Sequence, residues 1–593
     1  MGTSTILNHC LCQRLLCLHG AVMYVLGLWD GHDAGAALLR HQGILFAVNE
    51  ERLSRRKLDV GFPTRSIEAC LRHAEILPQT VHTVALSTTD PAKTLTRFVP
   101  GLKEQYYLLR RRKKDPGPLD GLRRAFKYRF TELGPNALSR RLTRQYAVKQ
   151  LNRLGFKTFR LHLFDHHRCH ARGAACFSGF NEALVLTLDG VGDGLSGALW
   201  DFHQGRLQQI QPLPASPSLG IFFEHVTRLL NMRELEDEGK VMALANYAFP
   251  VADRENPLLK ILQVRGLTLY SPYSATALFR KLKRILWRFP SEQFACMAQR
   301  VLEKRVLELV RNAQDQTGHR NLCLAGGLFS NIKVNMAIQD TSCWDHVSVF
   351  PHMGDGGLAL GAAMAADHRV GISPYPTQEM YLGPSYPPQD YQRSLAKRQL
   401  PYRVLDRKSG EVAEILLKGE IILWFQGRME IGPRALGNRS ILARPDRPDI
   451  KDRLNRVLKK RVWYQPFCPS ILMEDALSLL QTKGRSVNDN RFMTTAFRVR
   501  PEYLPLLAGV INIDGTCRPH LVGDENPEYR NLLQEIKKRL GKGVLLNTSF
   551  NLHGEPMVCS PEDALDMFER IAVQYLVLGD FLVEKSHPAA PMH

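Results

Sequence analysis

Twice in this chain the same order of events occurs. From Tyr24 an apolar strand (YVLGL) runs into Asp30-Gly31, a small-residue strand (AGAALL), a turn at His41-Gln42-Gly43 and another apolar strand (ILFAV). From Ala183 the plan recurs as ALVLTL, Asp189-Gly190, a glycine-rich bend, SGALWDF, a turn at His203-Gln204-Gly205 and a further strand. Apolar runs of strand length joined by glycine-containing turns read as hairpins. A chain that repeats such a unit is restricted to an α/β architecture with two related halves.

Actin-like ATPases are duplicated in this way and hold nucleotide between their halves. Apolar residues Phe294, Met297, Val301, Val306, Leu309 and Val310 keep helical spacing from Ser291 to a stop at Gly318, ahead of a strand at Leu322-Cys323-Leu324. A Pro-rich stretch from Ser373 to Pro388 reads as a linker. Beyond it come strands at 421–425 and 544–546, a capping box with proline at Ser560-Pro561-Glu562-Asp563, and a closing hairpin at Gly579-Asp580. The expected organisation is an extension over 1–22, a first domain over 23–375 with a basic insertion at about 95–150, a linker over 376–398 and a second domain over 399–593.

No apolar run reaches the roughly 18–20 residues that span a bilayer. Residues 1–22 have no basic cluster ahead of an apolar stretch, and Ile6 stands where myristoylation wants Ser or Thr. Cys10, Cys12 and Cys17 are expected to be incidental, and the 12 cysteines form no disulfide framework. The expectation is a cytoplasmic enzyme. A net charge of +21 favours anionic partners. Much of it gathers in the insertion, where Arg110 to Lys114 and Arg123, Arg124, Lys127, Arg129, Arg140, Arg141 and Arg144 interleave with aromatic residues. The expectation is a solvated helical face, with contact to a membrane surface or an acidic substrate as the functional alternative.

Four clusters carry chemistry. In His166-His167-Arg168-Cys169-His170 the outer histidines stand four apart, on one side of a helix, and can chelate one ion. Asp189 ends a strand and Asp355 lies in a Gly-rich turn before ALGAAMAA, so two imidazoles and two carboxylates suit iron(II), manganese or zinc. Gly326, Gly327 and Asn331, with Gly354 and Lys240, form a candidate nucleotide site, although no Walker A sequence is present. His32 follows the first strand and has the intrinsic pKa to accept a hydroxyl proton. In the carboxyl-terminal part, Arg428, Arg434 and Arg439 in GRMEIGPRALGNRS, with Lys459, Arg461, Arg518 and Asn547, are expected to form an anion pocket rather than a buried core segment, because an unpaired buried charge is costly.

GHDAGAALL, NEERLSRRK, DHHRCHARGAA, LTLDGVGDG, EGKVMALA, AGGLFSN, GDGGLALGAA, GRMEIGPRALGNRSILA, DGTCRP and NTSFNLHGEPMVCSPEDA together resemble the carbamoyltransferase family that includes NodU, CmcH and TobZ. The resemblance implies an actin-like first domain, similar to the tRNA threonylcarbamoyl transferase, and a YrdC-like α/β second domain. It implies that the second domain makes carbamoyl adenylate from carbamoyl phosphate and ATP, with Mg²⁺ accompanying the ATP. The first domain then passes the carbamoyl group to a hydroxyl of a small molecule or sugar. The family's ligands to iron(II) fall on His166, His170, Asp189 and Asp355, and its amino-terminal histidine on His32. Gly326, Gly327 and Asn331 would bind nucleotide, and Arg434, Lys459 and Arg518 carbamoyl phosphate. Many members carry Glu at the position of Val462 and Arg at that of Gln465, so one charged phosphate contact is missing here. A tRNA-modifying transferase is the alternative. Both domains in one chain, with GPRALGNRS and NTSFN, disfavour a nucleic-acid partner.

Overall fold

The computed structural model describes residues 23–40, 43–114, 120–367, 379–484 and 486–585. The amino-terminal extension, the turn residues His41 and Gln42 and the Pro-rich start of the linker lie outside the described residues.

Each of the two related halves is built on a five-stranded sheet. In the first, β1 (Tyr24–Trp29), β2 (Gly35–Arg40) and β3 (Gly43–Asn49) form an antiparallel meander, and β4 (Thr83–Ser87) and β5 (Arg160–Phe164) add parallel strands beside β1, giving the order β3-β2-β1-β4-β5. In the second, β6 (Glu182–Gly192), β7 (Leu195–His203) and β8 (Arg206–Pro214) form the meander. After the small hairpin of β9 (Gln263–Arg265) and β10 (Thr268–Tyr270), β11 (Asn321–Ala325) and β12 (His346–Val349) run parallel beside β6. Order and strand direction match between the two sheets. This is the duplicated actin-like architecture, and its cause is the repeated apolar–turn–apolar pattern.

Two helices lie between the sheets, and each packs on the half it does not follow. Helix His166–Ser178, which comes after β5, packs on β6 and β11; helix Leu358–Ala366, which comes after β12, packs on β1, β2 and β4. They also pack on each other, and small residues permit the approach: a Cβ on Gly361 would stand 2.0 Å from the carbonyl oxygen of Cys169. The long helix Ser291–Thr317 buries the expected apolar stripe and ends at Gly318 in the left-handed region (φ 71°), whose N–H donates to the Gln314 carbonyl.

The carboxyl-terminal part holds an eight-stranded mixed sheet, β13-β23-β22-β14-β15-β21-β16-β20, from β13 (Tyr402–Val404), β14 (Ile422–Phe425), β15 (Arg439–Ala443), β16 (Cys468–Leu472), β20 (His520–Val522), β21 (Val544–Ser549), β22 (Tyr575–Leu578) and β23 (Phe581–Glu584). A three-stranded sheet of β17 (Leu480–Gln481), β18 (Phe497–Val499) and β19 (Thr516–Cys517) flanks it. The Ser560 capping box forms, with Ser560 and Asp563 each bonding the other's backbone.

The lobes meet through a shared apolar cluster containing Phe350, Leu360, Tyr381, Ile431, Cys468 and Phe492. Residues 380–383 lie between them: the Ala47 N–H donates to Leu382 (3.0 Å), Ile431 N–H to Met380 (2.8 Å) and Gly383 N–H to Met429 (2.8 Å). Arg52 reaches the carbonyl of Gly432 (3.0 Å) and Arg55 those of Pro556 (3.0 Å) and Met557 (2.5 Å). No helix among the described residues is long and apolar enough to cross a membrane.

Candidate metal centre and anion pocket

Helix His166–Ser178 places His166 and His170 on one face. Asp189 arrives where β6 breaks register with β7, between Leu188 and Gly192, and Asp355 arrives from the turn before helix Leu358–Ala366. The four side chains offer ligand atoms that all lie within 4.8 Å of one another. His170 Nε2 is 3.2 Å from Asp189 Oδ2 and 3.6 Å from Asp355 Oδ1; His166 Nε2 is 3.6 Å from each of the same oxygens.

The surroundings hold these groups in place. Thr88 Oγ1 lies 3.1 Å from His166 Nδ1, which points the other ring nitrogen inward. Asp193 accepts the His166 N–H (2.7 Å) and the N–H groups of Thr89 and Asp90 (both 2.9 Å), tying the start of the helix to the end of β4. Gly192 is obligatory, because a Cβ there would stand 2.3 Å from the His166 ring.

These residues fit a divalent ion. His166 Nε2, His170 Nε2 and Asp189 Oδ2 are buried without a hydrogen-bond partner, which is expensive for polar atoms unless a further ligand completes them. The pocket also attracts positive charge. Burial would lower His170, but its contacts with the Asp189 and Asp355 carboxylates outweigh burial and push it up to about 9. Burial would raise Asp189, but the two imidazoles hold it well below the usual carboxylate range.

His32 stands at the edge of this cluster, with Nδ1 3.5 Å from Asp355 Oδ2 and 3.2 Å from the Tyr107 hydroxyl, and with its carbonyl accepting from Trp29 Nε1 (2.8 Å). Burial pushes its imidazole down to about 4, against the opposing pull of Asp355. A cleft of about 320 Å³ opens here, between residues 55–60, the helix Pro100–Arg110 and Gly554-Glu555, and Tyr107 lines it. Tyr107 was missed by sequence reasoning, because nothing in the pattern of the insertion marks one tyrosine as facing the hairpin loop. Asp193 carried a weak signal, as a second acid in the glycine-rich bend after Asp189.

Arg110 and Arg111 depart from the expected solvated face. Both are buried: Arg110 pairs with Glu224 (2.5 Å) and Glu234 (3.2 Å), and Arg111 with Glu236 and the Lys57 carbonyl (2.6 Å). A helix that closes over the second half finds acids there, and charge pairing replaces solvation.

Of the candidate nucleotide groups, Gly326, Gly327 and Gly354 lie around the metal cluster: Gly326 N–H donates to the Met353 carbonyl (2.7 Å), Gly327 lies against Asp189, and Gly354 precedes Asp355. Asn331 and Lys240 are turned to protein partners. Asn331 caps helix Ile332–Gln339 and bonds Gln299 (2.7 Å), and Lys240 pairs with Asp237 (2.8 Å).

In the carboxyl-terminal lobe, the three arginines of GRMEIGPRALGNRS take three different positions. Arg428 donates to the carbonyls of Leu45 (2.9 Å) and Leu382 (2.8 Å), latching the lobes together. Arg439 is fully buried, stacked 3.6 Å over Phe425, with its two terminal guanidinium nitrogens donating to the carbonyls of Gln426, Gly427, Asn438 and Pro384. The expectation that such an arginine stays out of the core fails because carbonyl oxygens, rather than carboxylates, satisfy it. Arg434 remains. Glu430 accepts the N–H groups of Leu436 (2.6 Å), Asn438 and Arg439 (both 3.2 Å) and so shapes the loop that presents it.

Arg434 and Arg461 each lie near Arg518, and among the described residues no carboxylate pairs with any of the three. Burial pushes Arg434 down to about 9, with Arg518 adding repulsion, and pushes Arg461 down to about 10. Arg518 donates two N–H groups to Cys468 Sγ (3.2 and 3.1 Å), and Arg461 stacks 4.3 Å over Phe467. Asn547 Oδ1, Gln465 Oε1, Arg434 Nε and Arg461 Nη2 are buried without partners. Converging cations and unsatisfied polar atoms of this kind suit a phosphate. Lys459 instead gives its amine to the carbonyls of Ser549 and Asn551 (2.8 Å) and to Asn551 Oδ1 (3.1 Å), fastening the end of β21.

A family model described as carbamoyltransferase N-terminus matches residues 24–364, and one described as carbamoyltransferase C-terminus matches residues 413–585. Nodulation protein NolNO of Sinorhizobium fredii is 32% identical over 573 residues, covering 93% of this chain and 79% of that protein. Nodulation protein NolO of Bradyrhizobium diazoefficiens is 35% identical over 434 residues, covering 71% of this chain and 79% of that protein. Among solved structures, T. kodakarensis HypF aligns with a TM-score of 0.32 and 12% identity, over 58% of this chain and 48% of that one.

Proposed function

This chain belongs to the carbamoyltransferase family, and from that premise we propose that it is an ATP-dependent O-carbamoyltransferase. On this reading the carboxyl-terminal lobe hydrolyses carbamoyl phosphate to carbamate and phosphate and joins the carbamate to ATP, giving carbamoyl adenylate and pyrophosphate; the amino-terminal lobe then transfers the carbamoyl group to a hydroxyl of a small molecule or sugar. The observation that carries it is the convergence of His166, His170, Asp189 and Asp355, with three unsatisfied ligand atoms, beside the neutral ring of His32.

His166, His170, Asp189 and Asp355 would hold one divalent ion, which we take as iron(II). When bound, such an ion supplies Lewis acidity that polarises a carbonyl or phosphoryl oxygen. Gly326, Gly327 and Gly354 offer backbone close to the ligand cluster, where the AMP moiety would lie. His32 is uncharged at neutral pH, and its Nδ1 is engaged by Tyr107 and Asp355, which leaves Nε2 to take the acceptor's hydroxyl proton. The acceptor oxygen then attacks the carbamoyl carbon, and AMP leaves. Arg434, Arg461 and Arg518, with Asn547 beside them, would grip the phosphate of carbamoyl phosphate, and Mg²⁺ would accompany ATP.

The test is incubation of the metal-loaded chain with labelled carbamoyl phosphate, ATP and a panel of hydroxylated acceptors, with and without tRNA. AMP and pyrophosphate release that depends on carbamoyl phosphate is the expected result. Label transferred only when tRNA is present would overturn the reading.

A further inference from the structure

Apart from Tyr107, the helical insertion is unused by the reaction just described. Residues 95–150 hold fifteen Lys and Arg against four Asp and Glu, more than half of the chain's net excess of +21. Helix Pro91–Phe98 packs against Pro100–Arg110, Asp120–Thr131 and Ala137–Arg153, so these helices form one compact unit. Three of the cations face inward and fasten it: Arg97 holds Asp30 through two N–H groups (2.7 and 3.0 Å), and Arg110 and Arg111 hold the acids of the second half.

The side chains that the unit exposes have a different composition. Lys113, Lys114, Arg129, Arg141, Arg144 and Lys149 are exposed there. Interleaved with them are seven of the eighteen exposed large apolar side chains among the described residues, including Phe98 (51% exposed), Leu102 (55%), Phe126 (68%) and Leu138 (66%). Four of the seven fall within Leu95–Leu102, at the junction of two helices. Isolated apolar residues on a surface need no explanation, but a concentration of them among unneutralised cations does.

We infer that this face docks on an anionic lipid bilayer. Cations alone would suit any polyanion. The apolar side chains decide the matter, because a nucleic-acid backbone or an acidic glycan leaves them without a partner. A bilayer takes the cations at its headgroups and the apolar side chains at the acyl boundary. The buried ion pairs make the unit rigid with the body of the protein, and Tyr107 of the same unit touches His32. A bilayer on the outer face is therefore held at a fixed position relative to the cleft.

The experiment is flotation of the full chain with vesicles of phosphatidylcholine, or of phosphatidylcholine with about one third phosphatidylglycerol. It requires no turnover and so is independent of the proposed reaction. The chain should float with the anionic vesicles alone. Partition should fall by about tenfold or more in Arg141→Glu/Arg144→Glu and, separately, in Phe126→Ser/Leu138→Ser, with thermal midpoints unchanged. Leu77→Ser, at an exposed leucine outside the unit, should float like the unaltered chain. Absence of flotation overturns the inference, as does flotation of both double variants at the unaltered level. Loss in the charge variant alone excludes insertion into the bilayer and overturns it too. So does binding of a single-stranded RNA, at the same ionic strength, that the Phe126→Ser/Leu138→Ser change leaves intact.

Discussion

The hydroxyl of Tyr107 lies 3.2 Å from Nδ1 of His32, joining a residue of the helical insertion to one in the loop after the first strand. Tyr107→Phe keeps the ring that lies 5.3 Å from the imidazole and removes only the hydroxyl. A neutral hydrogen bond is worth about 0.5–1.5 kcal/mol. Turnover should fall roughly three- to tenfold, while the KM for carbamoyl phosphate and the bound metal stay unchanged. Steady-state kinetics paired with metal analysis checks both.

Replacement of His170 by alanine removes a proposed ligand whose ring nitrogen faces the Asp189 and Asp355 carboxylates at 3.2 and 3.6 Å. Metal bound after dialysis should drop from about one ion per chain to a small fraction of that, since a site left with one imidazole and two carboxylates loses most of its affinity. Elemental analysis of the purified variant measures it. Full retention of metal in a His166→Ala/His170→Ala variant would exclude this centre.

Arg518 stands in a cluster of three guanidinium groups without a carboxylate. Arg518→Met should weaken carbamoyl phosphate by about 1.5–3 kcal/mol, or roughly ten- to a hundredfold in KM. The same change relieves repulsion on Arg434, so the ligand-free thermal midpoint should hold or rise. Calorimetry with and without ligand separates the two effects.

Acid should destabilise the protein through two buried rings outside the candidate ligand set. Burial pushes His520 down to about 3 and His225 down to about 4, whereas an unfolded histidine titrates near 6.5. Between those values the unfolded chain binds protons that the native one refuses, so stability falls as pH drops. The loss should begin near pH 6.5 and continue toward pH 3–4, at up to about 1.4 kcal/mol per pH unit for each ring. Denaturant midpoints measured across that range, with His520→Gln as the flattened control, test this.

Much of the architecture was readable in the chain. Strand-length apolar runs and turn residues announced both meanders, and the helical stripe of Ser291–Thr317 with Gly318 after it announced the longest helix. The convergence of His166, His170, Asp189 and Asp355 was readable because a His pair four apart shares a helix face and the two aspartates stand at a strand end and before a helix. Where a long side chain sends its charge was not readable. Arg439 and Lys459 look like phosphate ligands until their nearest acceptors prove to be backbone carbonyls, and Asn331 looks like a ligand group until it caps a helix. Arg110 and Arg111 became internal because Glu224, Glu234 and Glu236, more than a hundred residues away, meet them. Such partners are set by tertiary contact, which spacing does not encode.

Asp30 and Asp189 occupy the same place in the two meanders, each where the first strand turns into the second. Asp30 is answered by Arg97 and Lys93 (3.0 Å), counter-ions that are part of the chain. Asp189 has no Lys or Arg paired with it among the described residues: one oxygen accepts the Gly190 N–H (2.7 Å) and the other faces the imidazoles of His166 and His170. One half thus carries its own neutralising charge from the moment of synthesis, whereas a divalent ion in the other would come from the surroundings. Scarcity of such an ion would be felt in one twin and not in the other.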